Sequence, residues 1–248
     1  MKFGDPKDLK LTDELIKSVK ILIDINITKI LGPHDSFKFS CKRDNKCCRN
    51  RTDNPIILNP YDVLRLSRNR NLSTTQLLNK YTTLTLGGQS HLPLALLKYE
   101  GNEFKNKCPF LRSYGCSVYP DRPLRCRLYP LGRIIIEDKS YFILQETSTY
   151  CNVGHGESHT VIDWIEESGL EEYFNLGEDY SYLQGVDFDK YKALSEEVKH
   201  ALIIIMYDVD RSLLMIREEQ RPTTTIDIMK VTTNLIKAFF KAVEVTKE

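Results

Sequence analysis

The chain has 248 residues and a net charge of +1, which allows one large or two small domains with a sizeable core. Its 41% hydrophobic and 28% charged residues are those of an ordinary soluble globular protein, and its near-neutral balance argues against a nucleic-acid binder. The longest aliphatic run, Ala201 to Met206, is far too short to span a bilayer, so no membrane association is expected.

The first stretch, "MKFGDPKDLK", lacks the apolar core of a signal peptide, and a cytoplasmic protein is the expectation. Disulfides are rare there, and seven cysteines would leave a disulfide framework with one unpaired. Leu15, Ile16, Val19, Ile23, Ile27 and Ile30 follow a helical stripe, which predicts a helix from about Thr12 to Leu31. "ILIDINI" also alternates, so a strand stays open within it. Next comes "CKRDNKCCRN", with Cys41, Cys47 and Cys48 set among five basic residues up to Arg51, a local charge of +4. "NPYDVLRL" reads as a helix start, with Asn59 as N-cap, Pro60 at the first position and Asp62 near the positive end of the dipole. "STTQ", Ser73 to Gln76, reads as a capping box. Residues from roughly Thr82 to Tyr99 read as extended.

A second basic stretch, Lys105 to Arg133, carries +6 and holds Cys108, Cys116 and Cys126. "GRIIIEDKSYFILQ" predicts a hairpin around the loop Glu137 to Ser140. Its facing residues then have numbers that sum to about 277, as Cys126 and Cys151 do. Beyond Cys151, helices are expected over Val161 to Ser168, Lys190 to Asp208 and Ile226 to Val245. The fold class is α+β, mostly helical, with a loop-rich cysteine core and a small hairpin. The expected organisation is a cysteine-cluster region over residues 1–156, with an N-terminal helix. A helical part over residues 157–248 packs with it as one domain.

Adjacent cysteines such as Cys47 and Cys48 strain a mutual disulfide, and cysteines that merely filled a core would sit among apolar residues. Metal or redox chemistry is the remaining reason for the crowding. Gathered thiolates accumulate negative charge, and neighbouring Lys and Arg lower thiol pKa values and offset that charge. The expectation is that Cys108, Cys116, Cys126 and Cys151 converge, with Cys41, Cys47 and Cys48 nearby. A solvated basic face and a nucleic-acid patch of zinc-ribbon type are the competing readings. The second lacks paired CxxC knuckles. In "YPDRP", Arg122 is a candidate to donate N–H bonds to cluster sulfurs or to a buried carbonyl, and Tyr119 is expected in the core. His155 and His159 would share a face only on a helix, which the glycines of "GHGES" disfavour.

These motifs resemble those of the YkgJ-type cysteine-cluster family, described as zinc- or iron-chelating. That family shows CxxCxxCC, then a segment like C-P-F-L…C-x-I-Y…R-P-x-x-C-R-x-F-P, then a later C-x-G. Here "FKFSCKRDNKCC", "CPFLRSYGCSVYPDRPLRCRLYP" and "CNVG" occur in that order, and the likeness runs from about Phe37 to Gly156. It implies a ligand set of Cys41, Cys47, Cys48, Cys108, Cys116, Cys126 and Cys151. Asp44 stands where the family has its second cysteine, either as a harder ligand or as a local cap. Seven thiols and one carboxylate would satisfy an iron–sulfur cluster or zinc, with iron–sulfur preferred for so many thiols. Three functions compete: metal handling, redox or sensing, with a protein partner as adaptor; a cluster-dependent enzyme, since flagellin lysine N-methylases carry a related signature; and a zinc-stabilised interaction domain.

Overall fold

Asn59 and Asp62 show how this chain opens a helix. In the computed structural model, which describes residues 1–8, 29–41, 46–49, 55–87, 90–102, 105–136, 139–145, 153–178, 183 and 186–246, the Asn59 side chain accepts from the Asp62 N–H at 2.7 Å. The Asp62 carboxylate accepts in return from the Asn59 N–H at 3.1 Å. Asp62 is buried and its second oxygen accepts from the Leu124 N–H at 2.8 Å, so the carboxylate predicted near the helix dipole also ties two distant segments. Ser73 and Gln76 form the predicted capping box one helix later.

In chain order the elements begin with β1 (Lys29–Leu31), β2 (Ser36–Lys38), β3 (Ile57–Leu58), α1 (Pro60–Asn69), α2 (Thr74–Tyr81), β4 (Thr82–Leu86) and β5 (Pro93–Leu97). There follow β6 (Glu100–Asn102), β7 (Lys105–Lys107), β8 (Leu111–Arg112), β9 (Gly115–Cys116), α3 (Leu124–Leu128), β10 (Leu131–Ile136), β11 (Lys139–Leu144) and β12 (Ser158–Thr160). The chain closes with α4 (Val161–Glu167), α5 (Leu170–Gly177), α6 (Phe188–Lys192), α7 (Glu196–Tyr207), α8 (Val209–Leu213) and α9 (Thr225–Ala242). Helices combined with sheets of two or three strands make this an α+β protein. No helix among the described residues is long and apolar enough to cross a membrane.

The chain divides into two units. The first comprises Met1–Arg49 and Arg125–Glu171. Its main sheet has the order β1-β11-β10, all antiparallel, with Leu31, Leu131, Phe142 and Ile143 buried. Lys29–Leu31 is therefore a strand, where the stripe predicted the end of a helix; the rest of that prediction, residues 12–28, lies outside the described residues. Pairing with β11 decides the matter, because a strand that fills a sheet edge overrides local periodicity. The β10–β11 hairpin is real but tighter than predicted. Leu131 faces Leu144 and Ile136 faces Lys139, so Lys139 and Ser140 belong to β11 and not to the loop, while Glu137 and Asp138 lie outside the described residues. The shift moves each partner by two residues, so every side chain keeps its predicted face.

The second unit comprises Asn50–Leu124 and Glu172–Glu248. The region predicted as extended forms β4 and β5, in a sheet of order β3-β5-β4. The predicted helix Lys190 to Asp208 is two helices, α6 and α7, because Ser195 caps a new start at Glu196, its hydroxyl accepting from the Val198 N–H. Helix α9 buries Ile228, Met229, Ile236 and Phe240 on one face. Asp208, 6% exposed, accepts from the hydroxyls of Thr74 and Thr75 at 2.8 Å each and pins the start of α2. Asp208→Ala is expected to destabilise the protein by about 2–3 kcal/mol, read as a lower urea midpoint at unchanged slope.

Asp210 adds a pH-dependent tie. Burial opposes its ionisation, but the Arg68 guanidinium and the Thr74 N–H and hydroxyl outweigh that and hold its carboxyl below the ordinary value. A carboxyl so depressed stabilises the fold above its unfolded pKa, and the contribution vanishes as pH falls through the folded one. Asp210→Asn should therefore flatten the loss of stability between about pH 5 and pH 3, measured by urea titration at each pH.

Candidate metal centre

Phe39 anchors the segment that leads into Cys41. Strand β2 pairs with β12, with Phe37 opposite His159 and Lys38 opposite Ser158. The contact continues past the strand. The Phe39 N–H donates to the Glu157 carbonyl at 3.0 Å, the Gly154 N–H donates to the Lys38 carbonyl at 2.8 Å, and the Ser40 hydroxyl accepts from the Glu157 N–H at 3.0 Å. Gly154 and Gly156 have φ of +86° and +99°, a conformation that favours glycine, and a Cβ at Gly156 would run into Ser40. Cys41 itself is exposed.

Trp164, the single tryptophan of the chain, gathers the ring cluster behind this segment. Its indole lies edge-on to Phe37 at 5.9 Å and to Phe39 at 5.5 Å, with His159 at 5.1 Å. Its Nε1–H donates to the Leu128 carbonyl at 3.1 Å, at the end of α3. Phe39 also meets Tyr129 edge-on at 5.7 Å. The neighbouring Arg127 is buried and donates to the Ser168 carbonyl at 2.6 Å. Helix α3 carries the exposed Cys126 between Arg125 and Arg127. One indole thus contacts both the segment that leads into Cys41 and the helix that carries Cys126.

Cys47 and Cys48 lie half-buried on a single 3-10 turn, Lys46–Cys48, which the Arg49 N–H closes onto the Lys46 carbonyl at 3.0 Å. Neighbours on such a turn are about 120° apart, so the two thiols diverge. In the second unit, Cys108 is buried and Cys116 half-buried on one tight hairpin. The Leu111 N–H donates to the Cys108 carbonyl at 3.0 Å, and Leu111 faces Cys116 across β8 and β9. Phe110 holds this hairpin, packed on Tyr81 at 4.9 Å between ring centres.

Arg122 lies over the Tyr119 ring at 4.2 Å and donates to the Tyr119 carbonyl at 3.1 Å. Tyr119 is 37% exposed, so it is a stacking platform for Arg122 and not the core residue expected. The short turn places its ring outside because Asp121, two residues on, is held by Arg65 and Asn69. His155 and His159 share no helix. His155 is exposed in the glycine loop, and His159 places Nε2 at 3.1 Å from the Phe39 carbonyl and Nδ1 at 3.2 Å from Glu167. Both ring nitrogens of His159 are engaged in holding the strand.

Asp44 and Cys151 lie outside the described residues. Among the described residues, no three His, Cys, Asp or Glu side chains are grouped closely enough to hold a metal ion. The observed register differs from the one that set Cys126 opposite Cys151: facing numbers sum to 275, and Cys126 sits on a helix; where Cys151 lies relative to it falls outside the described residues. The ring cluster was absent from the sequence reading. The only available signal was the lone tryptophan beside alternating aromatics in "FKF".

No curated protein and no solved structure matches this chain. Residues 40–152 match a family model that spans all seven cysteines. That model is the CxxCxxCC family's, described as "Putative zinc- or iron-chelating domain", and the cysteine-bearing segment of this chain is similar to it.

Proposed function

We propose that the segment from Cys41 to Cys151 binds an iron–sulfur cluster or zinc through cysteine thiolates, and that the protein acts in metal handling, redox chemistry or sensing in the cytoplasm. The observation that carries this reading is the family match across a stretch that holds every cysteine of the chain. The donor set fits the group: thiolates are soft ligands suited to zinc and to iron–sulfur centres. Cys41 and Cys126 are exposed, and the segments that carry them share Trp164 as anchor, which supports a common site for these two. The divergent thiols of Cys47 and Cys48 favour a cluster, or two centres, over one tetrahedral ion. When bound, a cluster supplies an electron-transfer centre and zinc supplies a cross-link.

Metal and acid-labile sulfide analysis, with an absorption spectrum, on protein purified without oxygen tests the reading. Iron, sulfide and broad visible absorption are expected. Stoichiometric zinc without sulfide would assign the site to zinc, and a protein that holds neither metal would overturn the proposal. Asp44 supplies a further ligand in this reading. Asp44→Cys should retain or raise metal content and Asp44→Ala should lower it; equal content in both variants would make Asp44 a cap.

A further inference from the structure

Strand β4 ends the sheet β3-β5-β4, and among the described residues nothing pairs with its outer edge. The Lys98 N–H donates to the Tyr81 carbonyl and the Gly87 N–H to the Leu92 carbonyl, each at 2.8 Å. In the same register Thr83 faces Leu96 and Thr85 faces Leu94, so these odd-numbered residues turn their backbone groups toward β5. Leu84 and Leu86 then turn their N–H and C=O groups outward. Pro93, which has no N–H, sits opposite Leu86, as a non-bonded position requires. The leucines are 40% and 41% exposed on one face of the strand, and Thr83 and Thr85 are exposed on the other.

Protected edges carry charge, proline or a bulge. Thr82–Leu86 carries none of these, and Gly87 follows it. With no charged side chain, the strand offers nothing to select an acidic or a basic peptide, and it opposes no like charge to itself. Its pattern is also self-complementary. An antiparallel pairing centred on Thr85 sets Leu84 against the partner's Leu86 and Leu86 against the partner's Leu84, with the two threonines side by side. Each Leu pair exchanges two backbone hydrogen bonds, and the four leucines meet on one face.

We infer that β4 is a self-association edge, through which two copies of this chain join their sheets across a two-fold axis. The contact is small, so the dimer forms in a concentration-dependent way. Sedimentation of the full, metal-loaded chain from about 10 µM to about 1 mM, with reductant present to exclude disulfide-linked species, tests it. The expected result is a rise toward twice the 28.8 kDa chain mass. Leu84→Lys sets two ammonium groups on the shared face, and Leu86→Pro removes an outward N–H together with one leucine of that face; each should weaken association at least about tenfold with an unchanged circular dichroism spectrum. A native chain that stays monomeric throughout, one that instead captures a foreign strand at β4, or a dimer indifferent to both substitutions would overturn the inference.

Discussion

Stripping the metal is expected to loosen the first unit while most helix content survives. Among the described residues, the elements of Met1–Arg49 and Arg125–Glu171 are short: strands of three to six residues, with α4 at seven. Those of the second unit include α7 with 12 residues and α9 with 18, which bury Leu202, Met206 and Tyr207, and Ile228, Met229, Ile236 and Phe240. A structural zinc site contributes roughly 10 kcal/mol or more of apparent binding free energy, against a typical domain stability of about 5–15 kcal/mol. Metal-free protein should therefore be cleaved first within residues 29–49 and 125–171 in limited proteolysis, with the far-ultraviolet helix signal largely kept. Cys126→Ser should act in the same direction. If the stripped protein resists protease as well as the loaded form, the metal is a passenger on a preformed scaffold, and a catalytic or sensing role gains over a structural one.

Trp164→Ala is expected to destabilise the protein by about 3 kcal/mol and to lower metal content as well. The indole packs on Phe37, Phe39 and His159 and donates to the Leu128 carbonyl, so its removal frees the Cys41 strand and the Cys126 helix together. Trp164→Phe keeps part of the packing and loses the hydrogen bond. It should cost less stability, yet still reduce metal content if the position of α3 is what matters. Thermal unfolding and metal analysis on the same samples separate the two effects. Metal content at the native level in Trp164→Ala would show that the ring cluster supports the fold alone.

Local chemistry was legible in the sequence wherever it was self-contained. The Asn59–Asp62 and Ser73–Gln76 pairs each bond within four residues, so no distant partner could overrule them. The hairpin strands were legible from their β-branched runs, but the register was not, because registers two residues apart satisfy the same alternation. Lys29–Leu31 was misread because its strand state depends on β11, more than a hundred residues away in the chain. The cysteines announced thiolate chemistry through type and charge. The anchor that seats two of their segments is built from Phe37, Phe39 and Trp164, whose meeting depends on the β2–β12 pairing and has no local mark.

The interleaving of the two units sets an order of events during synthesis. Strand β2 pairs with β12, and Phe39 meets Trp164, so the segment that leads to Cys41, Cys47 and Cys48 waits for residues beyond 158 before it can close. At about 5–20 residues per second, more than a hundred residues take on the order of ten seconds to emerge. Throughout that interval the first three thiols hang on an unclosed nascent segment, open to oxidation or to stray metal. Their five basic neighbours then act before any fold exists, since they raise the reactivity of the bare thiols. A slow stretch of translation between residues 50 and 160 would lengthen that exposure, and loading of the correct metal would depend on the speed of the ribosome as well as on the finished site.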